Sequence, residues 1–179
     1  MEASVGHRSL TDRMMGAALM NVGVYEEVEH DTSATSQAAI VVGLVAVASA
    51  IGALRGGVGP ALASIVLAFV GWLVWAGITY LIGDKVFGGT ASWGELLRTL
   101  GFAQSPGILY VLGIIPFLGG LVRVIVGIWI LVLGVVAVRQ ALDFGTGKAI
   151  LTVVVGWLAL IVLGFLTAGL LGTGSMLAG

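Results

Sequence analysis

The sequence predicts an all-α polytopic membrane protein with five transmembrane helices, an amphipathic interfacial helix at the N-terminus and a third span that is broken or kinked. Three observations carry this reading. Of the 179 residues, 59% are hydrophobic and only 9% charged, whereas soluble domains carry about a quarter charged residues. Apolar runs of bilayer-crossing length recur along the chain. One of them, residues 99–123, is interrupted by two prolines and five glycines. The expected organisation is a cytoplasmic tail with its amphipathic helix at 1–36, a five-span domain at 37–172 and a short C-terminal tail at 173–179.

Ser9 followed by Asp12 fits a capping pattern and predicts a helix over 10–29. Leu10, Met14, Ala17, Val24, Tyr25 and Val28 fall on one face, with Asp12, Gly16, Gly23, Glu27 and His30 opposite. Leu19 and Met20 interrupt the pattern. Such a helix is expected along the membrane or over the bundle. Glu26, Glu27, Glu29 and Asp31 make its C-terminal end acidic, which opposes the helix macrodipole by ~0.3–1 kcal/mol for each well-placed group. Anionic headgroups attract lysine and arginine, so lipid recruitment does not account for these acids. Two readings remain: a solvated charged face beside a membrane, or a surface on which Glu26, Glu27, Glu29 and Asp31 dock a basic partner. A metal site from Glu26, Glu29, His30 and Asp31 is the weakest alternative.

Residues 37–54 supply the first span, expected to act as its own uncleaved signal because no basic-then-apolar leader precedes it. Pro60 suits a first helical position and opens the second span, 61–83, which Asp84-Lys85 ends. Ser92 and Glu95 form a capping box for a short helix at 93–102, on which Glu95 and Arg98 stand one turn apart as an exposed pair. Trp93 suits the interface. Ser105-Pro106 reads as a second helix start, and Pro116 disfavours helical geometry at Ile115. A kinked span, a broken span and a re-entrant pair of half-helices all fit 106–120. Spans at 121–138 and 149–171 complete the set.

Lysine and arginine counts set the orientation. With the N-terminus in the cytoplasm, Arg8, Arg13, Lys85, Arg98, Arg139 and Lys148 lie inside and Arg55 and Arg123 outside. The C-terminus is then outside.

Catalytic and cofactor chemistry is sparse. The chain has no cysteine, and both histidines precede the first span, so no imidazole or thiolate stands at membrane depth to hold haem. No cofactor or metal is expected. Met14, Met15 and Met20 read as lipid-facing bulk. Gly145-Thr146-Gly147-Lys148 resembles the end of a phosphate loop, but Leu142 and Ala149 break the pattern, leaving a turn. Every acid falls in a loop or the N-terminal helix, which disfavours a carboxylate-based ion relay. A net charge of −1 gives no case for nucleic acid. Gly101, Gln104, Ser105, Pro106, Pro116 and Arg123 are the structural or pathway candidates around the irregular segment. Spaced small residues, such as Gly52 with Gly56 and Ala46 with Ala50, permit close helix approach within one chain or between copies.

Three stretches, VYEEVEHDTSATSQAAIVV (24–42), LLRTLGFAQSPGILYVLGIIPFLG (96–119) and VRVIVGIWILVLGVVAVRQALDFGTGKAI (122–150), resemble the Yip-domain family of membrane proteins, its bacterial branch most closely. Gly101-Phe102-Ala103-Gln104-Ser105-Pro106 looks like the family's glycine–aromatic–small motif before its third span, and Gly147-Lys148-Ala149 like its lead into the last. The resemblance implies five membrane helices and a cytoplasmic N-terminus. Eukaryotic relatives interact with Rab GTPases in vesicle traffic. This chain lacks their Asp-Leu-Tyr-Gly-Pro motif, and its Ala/Val/Gly-rich composition suits a bacterial inner membrane. The function expected is a non-enzymatic scaffold or adaptor with membrane or cytoplasmic-face partners, in the form of an accessory subunit or an oligomer. The alternative is a solute or ion transporter component using the proline-interrupted third span.

Overall fold

The computed structural model describes the backbone of residues 8–177 and the side chains of residues 8–162. Every regular element within it is helical. The α-helices are α1 (Leu10–Ala18), α2 (Val22–His30), α3 (Ala34–Ala53), α4 (Val58–Tyr80), α5 (Trp93–Ala103), α6 (Leu118–Ala141) and α7 (Thr146–Leu177). A 3₁₀ turn at Leu54–Gly56, a π-helical turn at Leu81–Val86 and a 3₁₀ segment at Ser105–Ile114 join them. Three stretches, Ala34–Gly56, Val58–Val86 and Leu118–Ala141, are long and apolar enough to cross a bilayer.

The bundle has two chemically different ends. At one, α1 and α2 lie against α5 and α6, and the loops after α4 and α6 meet where Thr90 donates to Asp143 at 3.2 Å. At the other, the end of α3 meets the 3₁₀ segment and the start of α6. The acids of the described chain stand at the first end, because none occurs between residues 32 and 83, between 96 and 142, or after 143.

The expected single N-terminal helix is two. α1 stops in a Schellman turn: Met20 N–H bonds Ala17 O and Asn21 N–H bonds Gly16 O, with Met20 left-handed at φ 60°. Asn21 then caps α2, accepting from Gly23 N–H at 3.1 Å. One residue thus closes one helix and opens the next. Met15, Leu19 and Met20 are exposed at this elbow, which sits beside the middle of α6, where the Trp129 indole donates to Ala18 O at 3.0 Å.

Ser92 and Glu95 make both bonds of the capping box. After α5 the α-helix gives way to 3₁₀ geometry at Gln104, ten residues or more before Pro116. Pro106 has no N–H to offer the carbonyl of Phe102 four residues earlier. The Ser105 hydroxyl takes that carbonyl instead, at 2.6 Å. Ser105 therefore ends one helix rather than capping a new one, contrary to expectation. The 11 residues of α5 and ten of the 3₁₀ segment rise about 16 and 20 Å respectively. Together they run from the acidic end to the opposite one. Ile115 is extended before Pro116, as the proline requires, and left-handed Phe117 (φ 65°) turns the chain into α6 with its ring in the open.

Helix starts differ modestly from expectation. α3 begins at Ala34 and α6 at Leu118, each three residues before the expected start. α4 starts at Val58, so Pro60 occupies its third position, where a missing N–H still costs no helical bond.

Gly52 allows the closest backbone approach in the bundle. A Cβ there would stand 2.1 Å from Tyr110 O. Gly56, its partner in the spaced-glycine pattern, meets only the ring of Pro60. At Gly101 a Cβ would lie 2.7 Å from Ala38 Cβ, bringing α5 onto α3.

Gly52→Val is expected to lower stability by about 1–3 kcal/mol as the two backbones separate, whereas Gly56→Ala leaves it within ~0.5 kcal/mol. Thermal unfolding in mild detergent reads both. Met20→Gly is expected to raise the same midpoint, since a left-handed Cβ costs roughly 1–2 kcal/mol; an unchanged or lower midpoint contradicts the elbow geometry.

Candidate docking face and groove

Arg13 is completely buried, and Glu27, Asp31 and Gln37 from α2, the turn after it and α3 answer it. Its Nε and Nη2 donate to Glu27 Oε1 at 3.0 and 2.8 Å. Nη2 also donates to Asp31 Oδ2 at 2.7 Å, and Nη1 to Gln37 Oε1 at 2.8 Å. Arg8 donates to the other Glu27 oxygen at 2.7 Å. Two of the four expected docking acids are thus engaged in holding the N-terminal helices. The Ser33 hydroxyl and the Arg13 guanidinium keep the Asp31 carboxyl at about 2, burial opposing them.

Arg98 is the second organising cation. Sequence spacing predicts an exposed pair with Glu95; the structure buries Arg98 and turns it to α2. It donates to Val28 O at 2.9 Å, to Glu29 O and to Thr35 Oγ1 at 3.4 Å. Glu95 is occupied by the backbone N–H of Ser92. A cation on the last carbonyls of α2 offsets the macrodipole penalty of its acidic end.

Glu26 and Glu29 are placed differently from Glu27 and Asp31. Glu26 is exposed and accepts from Gln140 Nε2 at 3.0 Å. Glu29 is half-buried. Burial is the main cause that raises its carboxyl above the ordinary range; Glu95, Asp143 and Glu26 add to the effect and His30 opposes it. Among the described residues no cation forms an ion pair with Glu26, Glu29, Glu95 or Asp143. Three elements therefore contribute to one carboxylate patch. The His30 ring is raised by its 2.9 Å contact with Glu26 O and by Glu29.

The candidates of the irregular segment run from Gly101, beside Ala38 near the start of α3, to Pro116 and Arg123 at the opposite end. Gly101, Ser105 and Pro106 are buried, the first two serving helix contact and helix termination as described above. Gln104 and Arg123 line a cavity of about 470 Å³ with Ser49, Ser64 and Tyr110. Pro116 and Arg123 line a neighbouring cavity of about 470 Å³. Among the described residues no group of three or more histidines, aspartates or glutamates could hold a metal.

Sequence reasoning missed Arg13, Arg98, Trp129 and Gln140 as organising residues. Arg13 had a local signal, since it sits one turn from both Ser9 and Ala17. The partners of Arg98 and Trp129 lie 69–70 and 111 residues away, beyond any local pattern.

Replacing Arg98 by methionine is expected to cost about 1.5–3 kcal/mol, since charged hydrogen bonds to buried carbonyls are lost, with lysine recovering part. Denaturant unfolding in micelles measures this. The Asp31 contribution has a defined pH window. Its folded value lies below its ordinary 3.8, at about 2, so the stability it confers is complete above the ordinary value. It is lost as pH falls from there towards about 2. Asp31→Asn is expected to remove that part of the acid decline; an identical decline in the variant contradicts it.

No curated protein and no solved structure matches the chain. A family model, described as the Yip1 domain, matches residues 15–168, a region running from α1 into α7. The chain is therefore a non-enzymatic, multi-pass membrane protein that belongs to the Yip1 domain family.

Proposed function

We propose that this protein is a membrane scaffold or adaptor that docks a basic partner protein on the acidic end of its bundle. The observation that carries the reading is the patch of Glu26, Glu29, Glu95 and Asp143, which no cation of the described chain neutralises. Glu27 and Asp31 support it indirectly by fixing α2 through Arg13. Like charges gathered at a partly buried site are costly, and a cationic partner relieves that cost. On this reading α5 with the 3₁₀ segment, and α7, join the three long helices as the third and fifth of five spans.

The setting proposed is a bacterial inner membrane, with the N-terminus cytoplasmic and the C-terminus outside. Six of the eight lysines and arginines stand at the α1–α2 end, which favours that end as the cytoplasmic one. The partner would be a membrane neighbour or a cytoplasmic-face protein, with this chain as its accessory subunit.

Native purification of the Glu26→Lys/Glu29→Lys variant beside the wild type tests the proposal. The wild type is expected to retain a stoichiometric basic partner that the variant loses at unchanged thermal midpoint. Solitary behaviour of the wild type, or equal retention by both, contradicts docking here.

A second reading, passage of a small solute along the 3₁₀ segment, is favoured by the Gln104-lined cavity. Proteoliposomes separate it: flux sensitive to Gln104→Ala or Pro116→Ala supports passage, and flux equal to empty liposomes removes it.

A further inference from the structure

The two charges that depart from the lysine and arginine bias lie together. Arg55, after α3, and Arg123, in the second turn of α6, both line the cavity of about 470 Å³ at the end opposite α1 and α2. Neither makes a hydrogen bond or ion pair among the described residues. Among the described residues no carboxylate side chain pairs with either, and none occurs between 32 and 83, between 96 and 142, or after 143. Two guanidinium groups in one cavity, with no carboxylate partner among the described residues, form a site lacking its counter-charge.

The space continues inward from there. Arg123 also borders the second cavity, about 470 Å³, where Ser49, Ser64, Gln104 and Tyr110 supply hydrogen-bonding groups. Gln104 and Tyr110 are shared in turn with a third cavity of about 220 Å³, whose other walls include Trp72, Trp75, Ile130 and Trp157. Helices α4 and α6 form the sides of this path, and α3 with the 3₁₀ segment forms its floor. Polarity therefore falls in three steps: cationic at the end of the bundle, uncharged and hydrogen-bonding further in, aromatic and aliphatic beyond.

We propose that this groove binds one anionic glycerophospholipid, its phosphate between Arg55 and Arg123, its ester region beside Ser49, Ser64, Gln104 and Tyr110, and an acyl chain against Trp72, Ile130 and Trp157. Arginine forks match phosphate oxygens in geometry as well as charge. A free anion would use the first cavity alone; the adjoining hydrogen-bonding and apolar walls favour a molecule with all three parts. The role differs from the ordinary reaching of an exposed arginine to the headgroups, which selects no single lipid and leaves none bound after extraction.

The full-length protein, reconstituted in vesicles of equal parts phosphatidylglycerol and phosphatidylcholine, is extracted in mild detergent and its bound lipid counted by native mass spectrometry. The wild type is expected to carry one phosphatidylglycerol. Arg55→Gln/Arg123→Gln is expected to reduce its retention roughly 10–30-fold, while Arg139→Gln, at the other end, leaves it unchanged. Ser64→Leu keeps both arginines and fills the groove; the Ser64 hydroxyl bonds only Ala61 O of its own helix, so this variant should fold and still lose the lipid. Equal retention of the two lipids by the wild type overturns the proposal. So does undiminished retention in Ser64→Leu, or displacement of all bound lipid by millimolar inorganic phosphate, which would identify a free-anion site.

Discussion

The burial of two guanidinium groups at one end of the bundle constrains everything around them. An arginine taken out of water without partners costs several kcal/mol, so Arg13 and Arg98 each require a full set of acceptors close by. Arg13 draws Glu27, Asp31 and Gln37 onto itself, fastening α1, α2 and the first turn of α3. Arg98 draws the last carbonyls of α2, fastening that helix to α5. The elbow at Met20 and Asn21 is the backbone's answer to the same demand: a straight helix over 10–29 could not bring Arg13 back against Glu27 and Asp31.

This arrangement divides the acids of α2 by role. Glu27 and Asp31 belong to the fold, while Glu26 and Glu29 face outward with Glu95 and Asp143. The opposite end is the electrostatic mirror image, with two unanswered arginines and, among the described residues, no acid. The acidic patch is where we propose a cationic protein docks, and the arginine pair where we propose an anionic headgroup binds, with the apolar bundle between them. Between them the α-helix breaks where Pro106 lacks an N–H, and a 3₁₀ segment continues the crossing. Its narrow backbone lets Gly52 approach Tyr110 closely and leaves room between α4 and α6 for the groove.

Much of the fold is legible in the sequence, and what is not has identifiable causes. Hydropathy locates α3, α4 and α6 to within about three residues, because their boundaries depend on local apolar content; it finds the start of α7 equally well but ends that helix six residues early. The capping box at Ser92 and Glu95 is readable because all its atoms lie within four residues. The elbow is half-legible: Leu19 and Met20 interrupt the helical pattern, but methionine replaces the glycine that normally marks a left-handed turn. Ser105-Pro106 misleads because a serine before a proline suits both the start and the end of a helix, and only the arriving α5 decides. Arg98 is misread for a deeper reason. Glu95 offers a partner one turn away, whereas the true acceptors come from α2, some 70 residues earlier. The docking face suffers likewise, since Glu95 and Asp143 join Glu26 and Glu29 only through the fold.

Held by Arg13 and Arg98, α2 is an integral part of the bundle rather than a helix on a free tail. Amide hydrogen exchange of the wild-type protein in lipid nanodiscs tests it most directly. The account requires residues 24–30 to exchange as slowly as Leu96–Ala103 of α5, within about tenfold, because both are held by the same contacts. Exchange of those amides at the rate of an isolated nine-residue helix, orders of magnitude faster than α5, would contradict it.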